Sequence, residues 1–221
     1  MSNDSHSIWS DTKTIEKLRA LWSNRKRYYQ SENNARRSAV LMPFVYRDGE
    51  YCFLFEQRSA SLDSQPGEIC FPGGIMEEDE SGHRTAIRET CEELLIEEDQ
   101  IELIAPMDVM SGPTGALLWA YLGELKNYEY SFSKDEVDHI FTIPVSWFMD
   151  NDPQSYMADM VIVPRKGFPF ELIPQGKDYR WRKKPREILF YKYDDYIIWG
   201  LTARLIYSFI NLFRDKGGLF F

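Results

Sequence analysis

Apolar and polar positions change rhythm several times along the chain, and each rhythm predicts an element. From Ser38 the run Ala39-Val40-Leu41-Met42-Pro43-Phe44-Val45-Tyr46 is β-rich, with Pro43 marking a bulge or a strand edge. An Asp48-Gly49 turn follows, and Tyr51 to Glu56 returns as a second strand, so the two read as a hairpin. Gln57 to Gly67 is a polar loop. Glu68-Ile69-Cys70-Phe71 is a short apolar segment running into Pro72-Gly73-Gly74, where the glycine pair allows a ligand close to the main chain. After an acidic loop, Ser81 can cap a helix from about Gly82 to Leu95. Ile101 to Met107, Ala116 to Leu122 and His139 to Ile143 read as further strands. Ile188 to Tyr193 and Tyr196 to Trp199 form a late hairpin turning at Asp194-Asp195. The last element is an amphipathic helix, Leu201 to Phe213, with Leu205, Ile206, Phe209, Ile210 and Phe213 on its inner side. Strands with helices spread between them predict an α+β fold or a helix-flanked mixed sheet.

Residues 1–35 stand apart as an N-terminal helical extension to a domain of residues 36–221. Ser10 or Asp11 can cap a helix carrying Ile15, Leu18, Leu21 and Trp22, and Arg25-Lys26-Arg27 reads as its solvated end. A length of 221 residues suits one domain with such an addition. Charge then narrows the partners. With 26 Lys and Arg against 35 Asp and Glu, the net charge of -9 repels phosphate backbones, which argues against long nucleic acid and anionic membranes. There is no apolar run of the ~18 residues a transmembrane helix needs, and the polar first twenty residues lack the core of a signal peptide. Cys52, Cys70 and Cys91 form no CxxC pair and read as reduced thiols, so a cytoplasmic location is expected. Only three histidines are present, which shifts metal chemistry toward oxygen ligands.

The acidic helix gives that chemistry a place. At ~100° per residue, Glu89, Glu92 and Glu93 share one helical face one turn apart, where they repel unless a cation is shared. Hard oxygen ligands suit Mg²⁺ or Mn²⁺, and a backbone carbonyl of the Gly73-Gly74 turn could face the site. Mg²⁺ usually keeps waters and phosphate oxygens, so a small-molecule diphosphate is the natural missing ligand. Isolated Glu-Glu pairs on helices are mostly solvated faces. Here the pattern is longer: the segment from Gly74 through Glu80, Arg88 and Glu89 to Ile96 follows G-x5-E-x7-R-E-U-x-E-E-x-G-U, where U is bulky and apolar. It departs only at Thr90 and Leu95.

This segment resembles the Nudix box, and the chain resembles a Nudix hydrolase. The resemblance implies an α/β/α sandwich with a mixed sheet and an acidic loop-helix-loop. It also implies Mg²⁺-dependent cleavage of nucleoside diphosphates linked to another moiety. Carried over by position, Glu89, Glu92 and Glu93 match the metal-binding and base-positioning glutamates, and Gly73 would lend its carbonyl to a metal. Gly74, Glu80 and Arg88 match box positions that hold the loop–helix–loop together. Leu95 replaces the usual terminating glycine, so the helix end is expected to turn differently. The flanks, Gln57-Arg58-Ser59-Ala60-Ser61-Leu62 and Pro66-Gly67-Glu68-Ile69-Cys70-Phe71-Pro72-Gly73-Gly74, resemble the coenzyme A diphosphatases, and the likeness extends over about residues 36–213. It implies hydrolysis of coenzyme A or its thioesters to 3′,5′-ADP and 4′-phosphopantetheine or its acyl form. Asp63 stands where that group usually has arginine, and Glu77 where it has aspartate. Arg58, with Ser59, is a candidate substrate-phosphate ligand; the alternative is a structural ion pair. Glu136 is the candidate catalytic carboxylate from outside the box, alongside Glu92 and Glu93; the alternative is a surface acid. His83 is expected to cap the helix or face solvent, and Cys91 to face away from the glutamates. Two other readings stay open: a diphosphatase for ADP-ribose, a dinucleotide or another nucleoside diphosphate derivative, and a non-catalytic ligand sensor. The family likeness also points to a homodimer.

Overall fold

The computed structural model describes residues 36–113 and 115–215, so the expected N-terminal helix lies outside the described residues. Alternation in the first two strands decides the architecture. β1 (Arg37–Arg47) and β2 (Glu50–Arg58) pair antiparallel across the Asp48-Gly49 turn. Ala39, Leu41 and Val45 of β1 join Cys52 and Leu54 of β2 in one core, while Met42, Phe53 and Phe55 join a second. Both faces of this sheet are therefore apolar, and both must be covered.

β3 (Ile69–Cys70) pairs with the end of β2 on the edge that β1 pairs further back, and β4 (Gly73–Ile75) lies against the start of β1. The helix α1 (Gly82–Leu94) covers the first face through Ala86 and Leu94. β5 (Ile101–Pro106) and β6 (Met110–Ser111) pair antiparallel with β7 (Leu117–Leu125), which runs parallel to β1. β8 (Val137–Pro144) closes on the other side of β2. The short helix α2 (Val145–Asp150) brings Phe148 to the second face. β9 (Gln154–Met160), β10 (Lys184–Tyr193) and β11 (Tyr196–Trp199) form a separate antiparallel sheet. α3 (Gly200–Asp215) then packs Leu205, Ile206 and Ile210 into the second core. The result is an α+β fold, a mixed eight-stranded sheet with helices on both faces. No helix among the described residues is long and apolar enough to cross a membrane.

Three local expectations change. Pro43 marks neither an edge nor a bulge: β1 is a central strand. Pro43 falls between the β4 pairing of residues 38–40 and the β2 pairing of residues 44–47, where no antiparallel partner needs its missing N–H. Ser81 occupies the N-cap position, but its hydroxyl makes no capping bond and instead lies 3.1 Å from His83 Nδ1. Leu95 keeps the left-handed turn (φ 53, ψ 50) that its departure from glycine seemed to exclude, and its N–H reaches the Cys91 carbonyl. The helix end is the usual one, made by a residue that pays for it in backbone strain.

Candidate active site

Arg88 fastens α1 to the loop before it. Its Nε and Nη2 each donate to a Glu80 carboxylate oxygen at 3.1 Å, and Nη2 also reaches the Ile75 carbonyl at 3.4 Å. Nη1 lies 2.8 Å from Glu89 Oε1 and donates to Glu92 Oε2 at 3.3 Å. Glu80 Oε2 further accepts from Thr85 Oγ1 at 2.7 Å and from the Glu77 N–H at 3.2 Å. The Arg88 bonds, then the Thr85 hydroxyl, hold the Glu80 carboxyl down at about 2.

The glycine pair sets how close loop and helix come. A Cβ on Gly74 would overlap the Glu89 carboxylate, and one on Gly73 the Ala39 carbonyl oxygen. With neither present, β4 lies against β1 on one side and the acidic face of α1 on the other. Gly73 then donates its N–H to Glu93 Oε2 at 2.8 Å.

Glu93 is only 2% exposed, and Glu56 of β2 only 1%. Glu56 Oε1 accepts from Cys70 Sγ at 3.2 Å, while Oε2 has no partner among the described residues. Burial, and for Glu93 next the charge of Glu56, pushes these carboxyls up, Glu93 to about 9 and Glu56 to about 7; they titrate as a pair. Glu89 is raised as well, chiefly by burial and despite Arg88. Burial and the neighbouring Glu56 hold the Cys70 thiol well above its usual range, so it stays protonated.

The loop of residues 131–136 completes the group. Ser133 donates its N–H to the Glu93 carbonyl at 2.7 Å, Ser131 Oγ to the Leu94 carbonyl at 2.6 Å, and the Ser59 N–H to the Glu136 carbonyl at 2.8 Å. Glu136 is thereby tied between the end of β2 and the last turn of α1, where its charge acts on Glu56, Glu89 and Glu93. Its side chain is exposed. Arg58 Nε donates to the Ser64 carbonyl at 3.3 Å, a bond to backbone and not to an acid, so it braces the polar loop. Ser59 Oγ lies 2.8 Å from Ser61 Oγ in the same loop. Asp63 and Glu77 are exposed, as is His83. Cys91 is half-buried, and burial raises its thiol.

The fold thus gathers Glu89, Glu93, Gly73 and Glu136 into one group, with Glu92 at its exposed margin on Arg88. Glu56 and Cys70 belong to the same group and escape a motif-based reading. Their signal is the alternation of β2: after Cys52 and Leu54, position 56 faces α1, and an acid there is out of place in a core.

The donor set fits a hard divalent cation. All its side-chain ligands are carboxylates, one buried carboxylate oxygen lacks any partner, and the glycine pair leaves the space in front of Glu89 free of a Cβ. As the side chains stand, no three acidic, thiol or imidazole groups among the described residues converge on one point, and Arg88 holds Glu89 and Glu92. A cation there would take over from Arg88 as their counter-charge.

Comparison with known proteins agrees with this geometry. The NUDIX domain family matches residues 35–184. The chain belongs to the Nudix family. Among Nudix relatives, the uncharacterized Nudix hydrolase NudL of Citrobacter koseri is 30% identical over 177 residues, covering 78% of this chain and 80% of its own. The peroxisomal coenzyme A diphosphatase NUDT7 of Mus musculus is 29% identical over 177 residues, covering 79% of this chain and 69% of its own. A MutT/nudix family protein from Enterococcus faecalis matches in fold alone, with a TM-score of 0.50 and 13% identity over 97% of this chain and 76% of its own. As a Nudix hydrolase the protein acts on diphosphate linkages, and Nudix hydrolases in general need a divalent metal.

Proposed function

We propose that this Nudix hydrolase cleaves the diphosphate bond of coenzyme A or its thioesters, giving 3′,5′-ADP and 4′-phosphopantetheine or its acyl form, with Mg²⁺ or Mn²⁺ as cofactor. The observation that carries this reading is the buried carboxylate group around Glu93, set in a chain that is 29% identical to a coenzyme A diphosphatase. Glu89, Glu92 and Glu93, with the Gly73 carbonyl, would hold the metal. Bound there, it would neutralise the bridging phosphates and lower the pKa of a water for attack at phosphorus. The chain's own groups supply the rest. The Gly73 N–H fixes the orientation of Glu93, and the Ser59 and Ser133 backbone bonds hold Glu136 near it as a second base or orienting acid. Arg58, at the end of β2, would leave its bond to the Ser64 carbonyl to serve as the candidate phosphate ligand, and Glu80 with Arg88 keeps the loop in register with α1. The reduced cysteines accord with a cytoplasmic enzyme.

One observation favours a second substrate class. The pocket of about 550 Å³ beside β2 and β11 is lined by Glu68, Asp194 and Asp195, with no lysine or arginine. Asp63, in the loop after β2 and outside that lining, is an acid where coenzyme A diphosphatases usually have arginine. A third phosphate seated in that pocket would be poorly served, whereas ADP-ribose carries only its diphosphate. Mass spectrometry of the products from coenzyme A, an acyl thioester, ADP-ribose and dinucleotides separates the two. Release of 3′,5′-ADP from coenzyme A is expected; turnover of another member with none from coenzyme A would overturn the first reading.

A further inference from the structure

Glu56 lies outside the acidic box, yet its placement is hard to reconcile with a merely structural role. Residues 52, 54 and 56 of β2 point to the face that α1 covers, and there Cys52 and Leu54 pack into the apolar core. Glu56 continues that row at 1% exposure. Its cross-strand neighbours are Cys70 on β3 and Ile140 on β8. Neither is a cation, and the one bond to Glu56 comes from the weak thiol donor, to Oε1 at 3.2 Å. Among the described residues Oε2 has no hydrogen-bond partner. The charge of Arg58 reaches Glu56, but Arg58 donates no bond to it, and a buried carboxylate oxygen without a donor is costly and calls for an explanation such as an ion. Glu93, equally buried and held by the Gly73 N–H, and Glu89 lie close enough for their charges and that of Glu56 to act on one another. Placing another acid against two others forces them either to hold protons or to share a cation.

From this we infer that Glu56 is a further metal-holding residue of the site, directing Oε2 to the divalent cation that Glu93 binds, either directly or through one of its waters. The inference rests on the metal-dependent reading above. Glu56 gives the ion an anchor on the sheet opposite its ligands on α1, so the cation cross-links β2 to the helix. Cys70 then acts on the metal indirectly, as a positioning residue: its S–H occupies Oε1 and leaves Oε2 to the ion.

Mn²⁺ titration of the full-length chain, read as loss of the free-ion electron paramagnetic resonance signal, tests this without any substrate. Wild type should bind Mn²⁺, and Glu56→Gln should weaken that binding by about 10–100-fold. Wild-type affinity and stoichiometry in Glu56→Gln, with binding lost in Glu93→Gln, would overturn the inference and leave the metal site of α1 standing. No Mn²⁺ binding by the wild type would overturn both. If Glu56→Gln does not fold, Glu56→Asp keeps the charge and withdraws it by one methylene. It is read the same way: weaker binding supports the assignment and unchanged binding overturns it.

Discussion

Single residues here carry two kinds of tension, one in the backbone and one in charge. Leu95 holds a left-handed turn at 59% exposure, where its side chain returns little packing for the strain. Leu95→Gly should therefore stabilise the protein by about 1 kcal/mol, seen as a rise in thermal midpoint; a fall would show that the side chain contributes more than the turn costs. Glu56 and Glu93 carry the second tension. Both bind a proton more tightly in the folded chain than at the ordinary glutamate value of 4.5. The folded state then holds more protons than the unfolded one from about 4.5 to about 9, so stability falls as pH rises through that window. Glu80 works in the opposite sense: its depressed pKa adds stability above 4.5 that is lost as pH falls toward about 2. Calorimetry in EDTA should accordingly find the highest melting temperature near pH 5 and a steady decline to pH 9. A flat or rising profile over that range would contradict the buried pair.

Among the elements, the loop of residues 74–80 and α1 behave as one unit because a single guanidinium spans them. Arg88→Ala would free Glu80, Glu89 and Glu92 together and leave Glu80 without its main partner. A loss of about 1–3 kcal/mol in chemical denaturation is expected, with Arg88→Lys recovering only part of it, since an ammonium cannot form the two-pronged bond to Glu80. Full recovery by lysine would show that charge alone matters there. This unit is legible in the sequence because its residues are spaced by the helical turn and every one of them is local. The pairing of β1 with β2 is legible for the same reason, through the Asp48-Gly49 turn. β9 is not, because Gln154–Met160 is exposed along nearly its whole length and has no apolar alternation to display. Its strand geometry comes from β10, a partner some thirty residues further along the chain. Glu56 stays hidden for a related reason. An acid at the end of a strand looks like a turn residue until β3 and α1 close over it.

At the scale of the molecule, two cores on the two faces of one sheet divide the work. The aromatic core of Phe53, Phe55, Phe71 and Phe148 packs with residues of α3 and the small sheet. The thinner core under α1 ends in carboxylates at its rim, and the site stands where that core gives way to charge. The net charge of -9 is thus partly a stored site for a cation, and the anionic ligand it repels when empty becomes acceptable once the ion is bound. The carboxylate cluster is the part of the molecule that hydrolysis must depend on. The direct measurement is the rate of 3′,5′-ADP release from coenzyme A with saturating Mg²⁺, for the wild type and for Glu93→Gln. Turnover by the wild type and a loss of about 10²–10⁴-fold in the variant are expected. Equal rates in the two proteins, or none in either, would contradict it.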